Sequence, residues 1–138
     1  MSNRLTMNIP GRPEYVGTVR IAIAHIANIA GFDIEAIDDI KVAVSEACSN
    51  IICHAHEGRE FTYEVYAEIG DKGLAIGVKD RGVGFGVKDY VEPDLGEARG
   101  SGLGLFIIKA LMDEVDILSA PGEGTDIVMT KYFIDKTA

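Results

Sequence analysis

Four stretches of this 138-residue chain carry residue types and spacings that could do chemistry. In Ala43-Val44-Ser45-Glu46-Ala47-Cys48-Ser49-Asn50 an acid and an amide stand four apart. On a helix they are neighbours on one face, and at ~100° per residue both point nearly opposite to Val44. Val42 and Cys53 share their side, where a solvated face would carry Lys, Glu or Gln, so the pair reads as the floor of a pocket. In Asp80-Arg81-Gly82-Val83-Gly84 a carboxylate precedes two glycines at which a ligand could approach the backbone closely. Gly100-Ser101-Gly102-Leu103-Gly104-Leu105 opens an apolar helix. A glycine-rich helix entry is an anion cradle, with free N–H groups and the positive end of the dipole. Gly122-Glu123-Gly124-Thr125 is the fourth stretch. The cradle is not a P-loop, because no Gly-Lys-Ser/Thr follows, nor a dinucleotide fingerprint, because Leu105 stands where the third glycine belongs.

The elements that must position these residues follow from periodicity. Arg4 to Ile9 alternates as a short strand and is broken by Pro10-Gly11-Arg12-Pro13. Pro13 suits the first turn of a helix that runs to Gly31, with Val16, Val19, Ile23, Ile26, Ala27 and Ala30 on its apolar face. Its other side mixes Glu14, Arg20, His25 and Asn28 with Gly17, Ile21 and Ala24. Asp33 can cap a central helix from Ile34 to about His56, on which Ile37, Val44 and Ile51 fall in one line beside Ile40, Ala47 and Cys48.

Phe61, Tyr63, Val65, Ala67 and Ile69 alternate with polar residues as a strand with one buried face. After the turn at Asp71-Lys72-Gly73, Leu74, Ile76 and Val78 share a face, and continuing their parity brings Asp80 inward. A buried acid needs a partner. Phe85 to Arg99 shows no period and reads as a loop of functional length, mobile until a ligand orders it. Leu105 to about Met112 is a deeply buried helix, Val115 to Leu118 a strand, and Thr125 to Phe133 the last strand. Thr125 shares the parity of Ile127, Met129 and Phe133, which turns its hydroxyl inward near Asp80.

The composition is that of one globular domain spanning residues 1–138, with a net charge of −9 and 47% hydrophobic residues. The acidity argues against direct contact with nucleic acid or an anionic membrane. An anionic ligand must then be held by backbone N–H groups, a helix N-terminus or a metal ion. No apolar run is long enough to cross a membrane. Cys48 and Cys53 lie about 140° apart on the central helix, so they should not bridge, and two free thiols point to the reducing cytoplasm.

In this order and at domain-scale spacing, Glu46-x-x-x-Asn50, Asp80-x-Gly82-x-Gly84, Gly100-x-Gly102-x-Gly104 and Gly122-x-Gly124-Thr125 resemble the Bergerat-fold ATPases, the superfamily of gyrase, Hsp90, histidine kinases and MutL. Within it the chain resembles the bacterial anti-sigma serine kinases, closest to the anti-sigma-B type. Pro13-Glu14-Tyr15-Val16-Gly17, Ala43-Val44-Ser45-Glu46-Ala47-Cys48 and Leu111-Met112-Asp113-Glu114-Val115 carry that likeness. It covers nearly the whole chain.

The resemblance implies an α/β (α+β) two-layer sandwich, helices on one face of a mixed, mainly antiparallel sheet. It implies ATP and Mg²⁺ as cofactors, with Asn50 holding the ion, Glu46 as general base and Asp80 accepting from the adenine amino group. Gly82, Gly84, Gly102 and Gly104 would bring backbone to the nucleotide, and Thr125 would support the adenine contact, with water. Gly100, Ser101 and Leu103 join the nucleotide-binding set, and His54 matches a family position. The chain departs from the pattern in having no Lys or Arg immediately before Ser101; Arg99, one residue further back, joins the nucleotide-binding set, and the cation that would meet the γ-phosphate stays open.

The implied activity is that of a serine kinase dimer that sequesters a sigma factor and phosphorylates a small anti-anti-sigma antagonist. Two alternatives remain open at this level: a switch kinase acting on a stressosome or phosphatase regulator, and an anti-sigma adaptor that binds nucleotide without transferring phosphate.

Overall fold

A computed structural model describes residues 3–54, 60–80, 101–120 and 124–134. The described residues form nine elements in chain order: β1 (Arg4–Pro10), a 3-10 turn (Pro13–Tyr15), α1 (Val16–Ala30), α2 (Ile34–His54), β2 (Thr62–Ile69), β3 (Gly73–Asp80), α3 (Ser101–Leu111), β4 (Glu114–Ala120) and β5 (Gly124–Tyr132). The strands form one sheet in the order β1-β2-β3-β5-β4.

Every pairing among the described strands is antiparallel, where a mixed, mainly antiparallel sheet was expected. Topology explains the difference. The crossover through α3 places β4 in the same direction as β3, but one strand away. The β4–β5 hairpin then returns β5 into the gap, antiparallel to both neighbours. The two-layer arrangement is otherwise as expected: α2 packs against α1, α3 and β3.

Local sequence sets the helix ends. Proline at the start of the segment gives a 3-10 turn, and α1 proper begins only at Val16. Gly31 closes α1 at φ 98°, a left-handed conformation that glycine adopts without a Cβ penalty. The Gly31 N–H donates to the Asn28 carbonyl and the Phe32 N–H to the Ala27 carbonyl, the pairing of a Schellman stop. Two residues after Gly31 the Asp33 carboxylate accepts from the Ala36 N–H at 2.8 Å and caps α2.

The core lies between sheet and helices. Val19, Ile23 and Ala27 of α1, Ile40, Val44, Ala47 and Cys48 of α2, and Leu105 and Ile108 of α3 are buried against Val65, Leu74, Ile76, Val78, Ile127 and Met129 of the sheet. Each fully buried aliphatic side chain contributes ~1.5–3 kcal/mol of transfer free energy, which is why helical propensity alone need not hold α2 in place. Lys131 of β5 ties the far end of the layer together: its Nζ donates to the Leu111 carbonyl at 2.6 Å and stands 3.7 Å from Asp39 Oδ2 of α2. It thereby satisfies a terminal carbonyl of α3. Cys48 and Cys53 are both free thiols, the first buried and the second exposed, as their angular separation predicts.

Candidate functional site

Two walls of the site come from the helices. The core face of α2 commits Val44, Ile40 and Ile51 to the interior, and this rotation carries Glu46 and Asn50 to the flank that meets α3. Asn50 is only 4% exposed. Its Nδ2 and Oδ1 are both buried, and neither has a hydrogen-bond partner among the described residues. An amide left so costs ~1–3 kcal/mol per unsatisfied group, a cost that disappears when a ligand supplies the partners. Val42 and Cys53 are both exposed and form the rim of this flank.

Glu46 is half-buried, and α3 defines where its carboxylate can sit. A Cβ built on Gly104 would stand 3.0 Å from Glu46 Oε2. The contact is tight enough that any side chain at Gly104 would push the carboxylate aside. The glycine therefore serves the approach of α2 to α3 as well as the helix entry. Next to it Leu105 is buried and anchors that first turn of α3 in the core, while Leu103 is half-buried.

The sheet supplies the third wall. Asp80 and Thr125 are each 2% exposed and stand opposite one another in the β3–β5 register. Both continue the inward-facing rows of their strands, as period-2 parity requires. The Thr125 hydroxyl is bonded to that of Ser119 at 2.9 Å, and Ser119 is its register partner on β4. One cross-strand row thus reads Asp80, Thr125, Ser119. Ser119 was not among the residues singled out from the sequence. Its parity with Val115 and Ile117 was the available signal, but pairing with Thr125 depends on the β4–β5 register, which no local pattern announces.

Of the remaining expected residues, Ser101 and Gly102 are the first two residues of α3, and His54 is the last of α2. Gly82, Gly84, Arg99 and Gly100, together with the expected mobile loop from Phe85 to Arg99, lie outside the described residues.

The residues present fit a metal–nucleotide pair. Asn50 Oδ1 is an oxygen donor of the kind a hard cation takes. Among the described residues no group of three His, Cys, Asp or Glu side chains could hold a metal ion. Magnesium usually completes its shell with phosphate oxygens and water, which one amide oxygen at Asn50 would leave room for. No described helix is long and apolar enough to cross a membrane.

Comparison with known proteins places the whole chain rather than single residues. Residues 9–131 match the histidine kinase-like ATPase domain family. The chain is 42% identical to the serine-protein kinase RsbW of Listeria monocytogenes, with 99% of this chain and 91% of that protein aligned. It is 36% identical to the RsbW of Oceanobacillus iheyensis over 96% of this chain and 88% of that one. In fold it is similar to the crystal structure of the RsbU and RsbW domains of a Mycobacterium tuberculosis protein, with a TM-score of 0.70 at 24% identity. That match covers 94% of this chain and 32% of the solved one. A histidine kinase domain from Erythrobacter litoralis shares the fold at a TM-score of 0.60.

Proposed function

Since the chain belongs to the histidine kinase-like ATPase family and aligns over nearly its full length with RsbW serine-protein kinases, we propose that it acts by partner switching, as an anti-sigma factor that is also a serine kinase. It uses ATP to phosphorylate an anti-anti-sigma protein, and it holds a sigma factor when that antagonist is modified. The observation that carries the site assignment is the buried amide of Asn50, unpartnered among the described residues, on the same flank of α2 as Glu46. An adaptor that never transferred phosphate would have no need of an acid and a metal-binding amide side by side. The stressosome-type reading has no observation in its favour.

In this reading bound ATP with Mg²⁺ supplies the phosphoryl group and neutralises the charge that develops on it. The chain does the rest by positioning. Asn50 holds the cation through Oδ1, and its Nδ2 remains to donate to a phosphate oxygen. Glu46 accepts the proton of the attacking serine hydroxyl. Gly104, by lacking a side chain, leaves the Glu46 carboxylate where the α2–α3 packing puts it. Asp80 accepts from the adenine amino group, and Thr125 completes the base contact. His54, Gly82, Gly84, Arg99, Gly100, Ser101, Gly102 and Leu103 remain the proposed surroundings of the nucleotide. The working unit is a homodimer in the cytoplasm, a reading supported by family likeness and by two free thiols.

The test is capture of the tagged protein from its own cell, followed by addition of γ-labelled ATP with magnesium or with a chelator. The expected result is a sigma factor and a small antagonist among the captured proteins, with label on a serine of the antagonist only when magnesium is present. Neither partner in the captured set would overturn the partner-switching reading. In parallel, Asn50→Ala should abolish the magnesium-dependent gain in ATP affinity while α2 stays folded, since Ala is the better helix former. A full magnesium effect in that variant would place the metal elsewhere.

A further inference from the structure

The Asp80–Thr125–Ser119 row contains one residue with no role in the function described so far. We propose that Ser119 is a positioning residue for purine recognition. Its hydroxyl fixes the orientation of the Thr125 hydroxyl and makes the site prefer 6-aminopurine over 6-oxopurine nucleotides. The inference rests on the reading of this row as the base-recognition wall.

Three observations carry it. Asp80 and Thr125 are adjacent in register and almost fully buried. Thr125 and Ser119 are adjacent in register on the other side. The two hydroxyls are bonded at 2.9 Å. A hydroxyl has one proton to donate and two lone pairs to accept with. When Ser119 donates to Thr125 Oγ1, the Thr125 proton is released from Ser119 and directed toward the pocket beside Asp80. The wall then offers a carboxylate acceptor next to a hydroxyl donor.

Adenine presents the complement, an amino donor at position 6 beside the ring acceptor N1. Guanine and hypoxanthine present the reverse, an oxygen acceptor at position 6 beside an N1–H donor. Both contacts are then mismatched in a buried setting, where unpaired polar groups discriminate strongly. An ordered water between Thr125 and the base carries the same polarity, because the Thr125 proton fixes which way it faces. Without Ser119 the Thr125 hydroxyl rotates freely and can accept as easily as donate. Asp80 alone would then carry the discrimination.

The experiment compares the affinities of ATP and inosine triphosphate, which differ at positions 6 and 1 of the base and share everything else. Ser119→Ala is expected to lower the preference for ATP by ~3- to 10-fold, the worth of one modest hydrogen bond. Ser119→Thr should restore it by returning a hydroxyl. Ser119→Cys, close in size and a weak donor, provides a second variant if the alanine protein folds poorly, and should fall short of wild type in the same direction. A merely structural serine would weaken both nucleotides together, so an unchanged preference overturns the proposal. Thr125→Val separates the two levels of the argument. If it lowers the preference while Ser119→Ala does not, Ser119 is not the positioning group. If neither changes it and Asp80→Asn leaves ATP affinity intact, the base is not read on this row at all.

Discussion

Glu46→Gln is expected to lose phosphoryl transfer by ~10²–10⁴-fold, the range typical of general-base catalysis, while keeping ATP–Mg²⁺ and partner binding. The amide preserves the volume of the side chain beside Gly104, so the packing of α2 on α3 survives. What it removes is the ability to take a proton. The measurement is single-turnover transfer of labelled phosphate to the antagonist serine at saturating ATP, beside nucleotide affinity for each protein. Near-normal transfer would rule Glu46 out as the base. A parallel fall in magnesium-dependent binding would instead make Glu46 a support for the metal's water shell. The half-buried position of Glu46 agrees with a group that must meet both the nucleotide and an incoming protein substrate.

The second large effect belongs to the opposite wall. Asp80→Asn should weaken ATP and ADP alike, by ~1.5–3 kcal/mol, the worth of a hydrogen bond to a charged group. Equal loss is the informative part, because the base is common to both nucleotides and the terminal phosphate is not. Asparagine is nearly isosteric and should leave the β3–β5 pairing intact, so a change in melting temperature much larger than the change in affinity would point to a structural role. Calorimetric titration with both nucleotides gives the answer. Loss confined to ATP would move Asp80 to the phosphate end and overturn the adenine assignment.

Much of this site was legible from residue order because its parts obey short periods. The 3.6-residue period of α2 set Glu46 and Asn50 on one flank once Val44 and Ile51 were assigned to the core. Strand parity turned Asp80 and Thr125 inward, and the structure buries both to the same degree. The cap at Asp33 and the stop at Gly31 were likewise readable, because each depends on a few consecutive residues.

Contacts that depend on the relative placement of distant elements were not readable. No local pattern says that Gly104 will meet Glu46, since the distance between α2 and α3 is set by the packing of both on the sheet. The Ser119–Thr125 bond needs the β4–β5 register, and the antiparallel insertion of β5 between β3 and β4 needs the whole topology. The 3-10 turn at Pro13–Tyr15 shifted the start of α1 for a simpler reason. Proline suits a helical first turn but does not decide between 3-10 and α geometry.

The two thiols of α2 make the protein a natural substrate for site-selective labelling. Burial pushes the Cys48 thiol up to about 11, only partly offset by the Tyr63 hydroxyl beside it, so at neutral pH it offers almost no thiolate to an electrophile. Cys53 is exposed on the same helix, less than one turn beyond Asn50. A maleimide dye added to the unaltered chain in its folded state therefore attaches at one position, on the rim of the pocket flank. Fluorescence from that position would follow nucleotide occupancy in real time, with no engineered cysteine and no cysteine to remove.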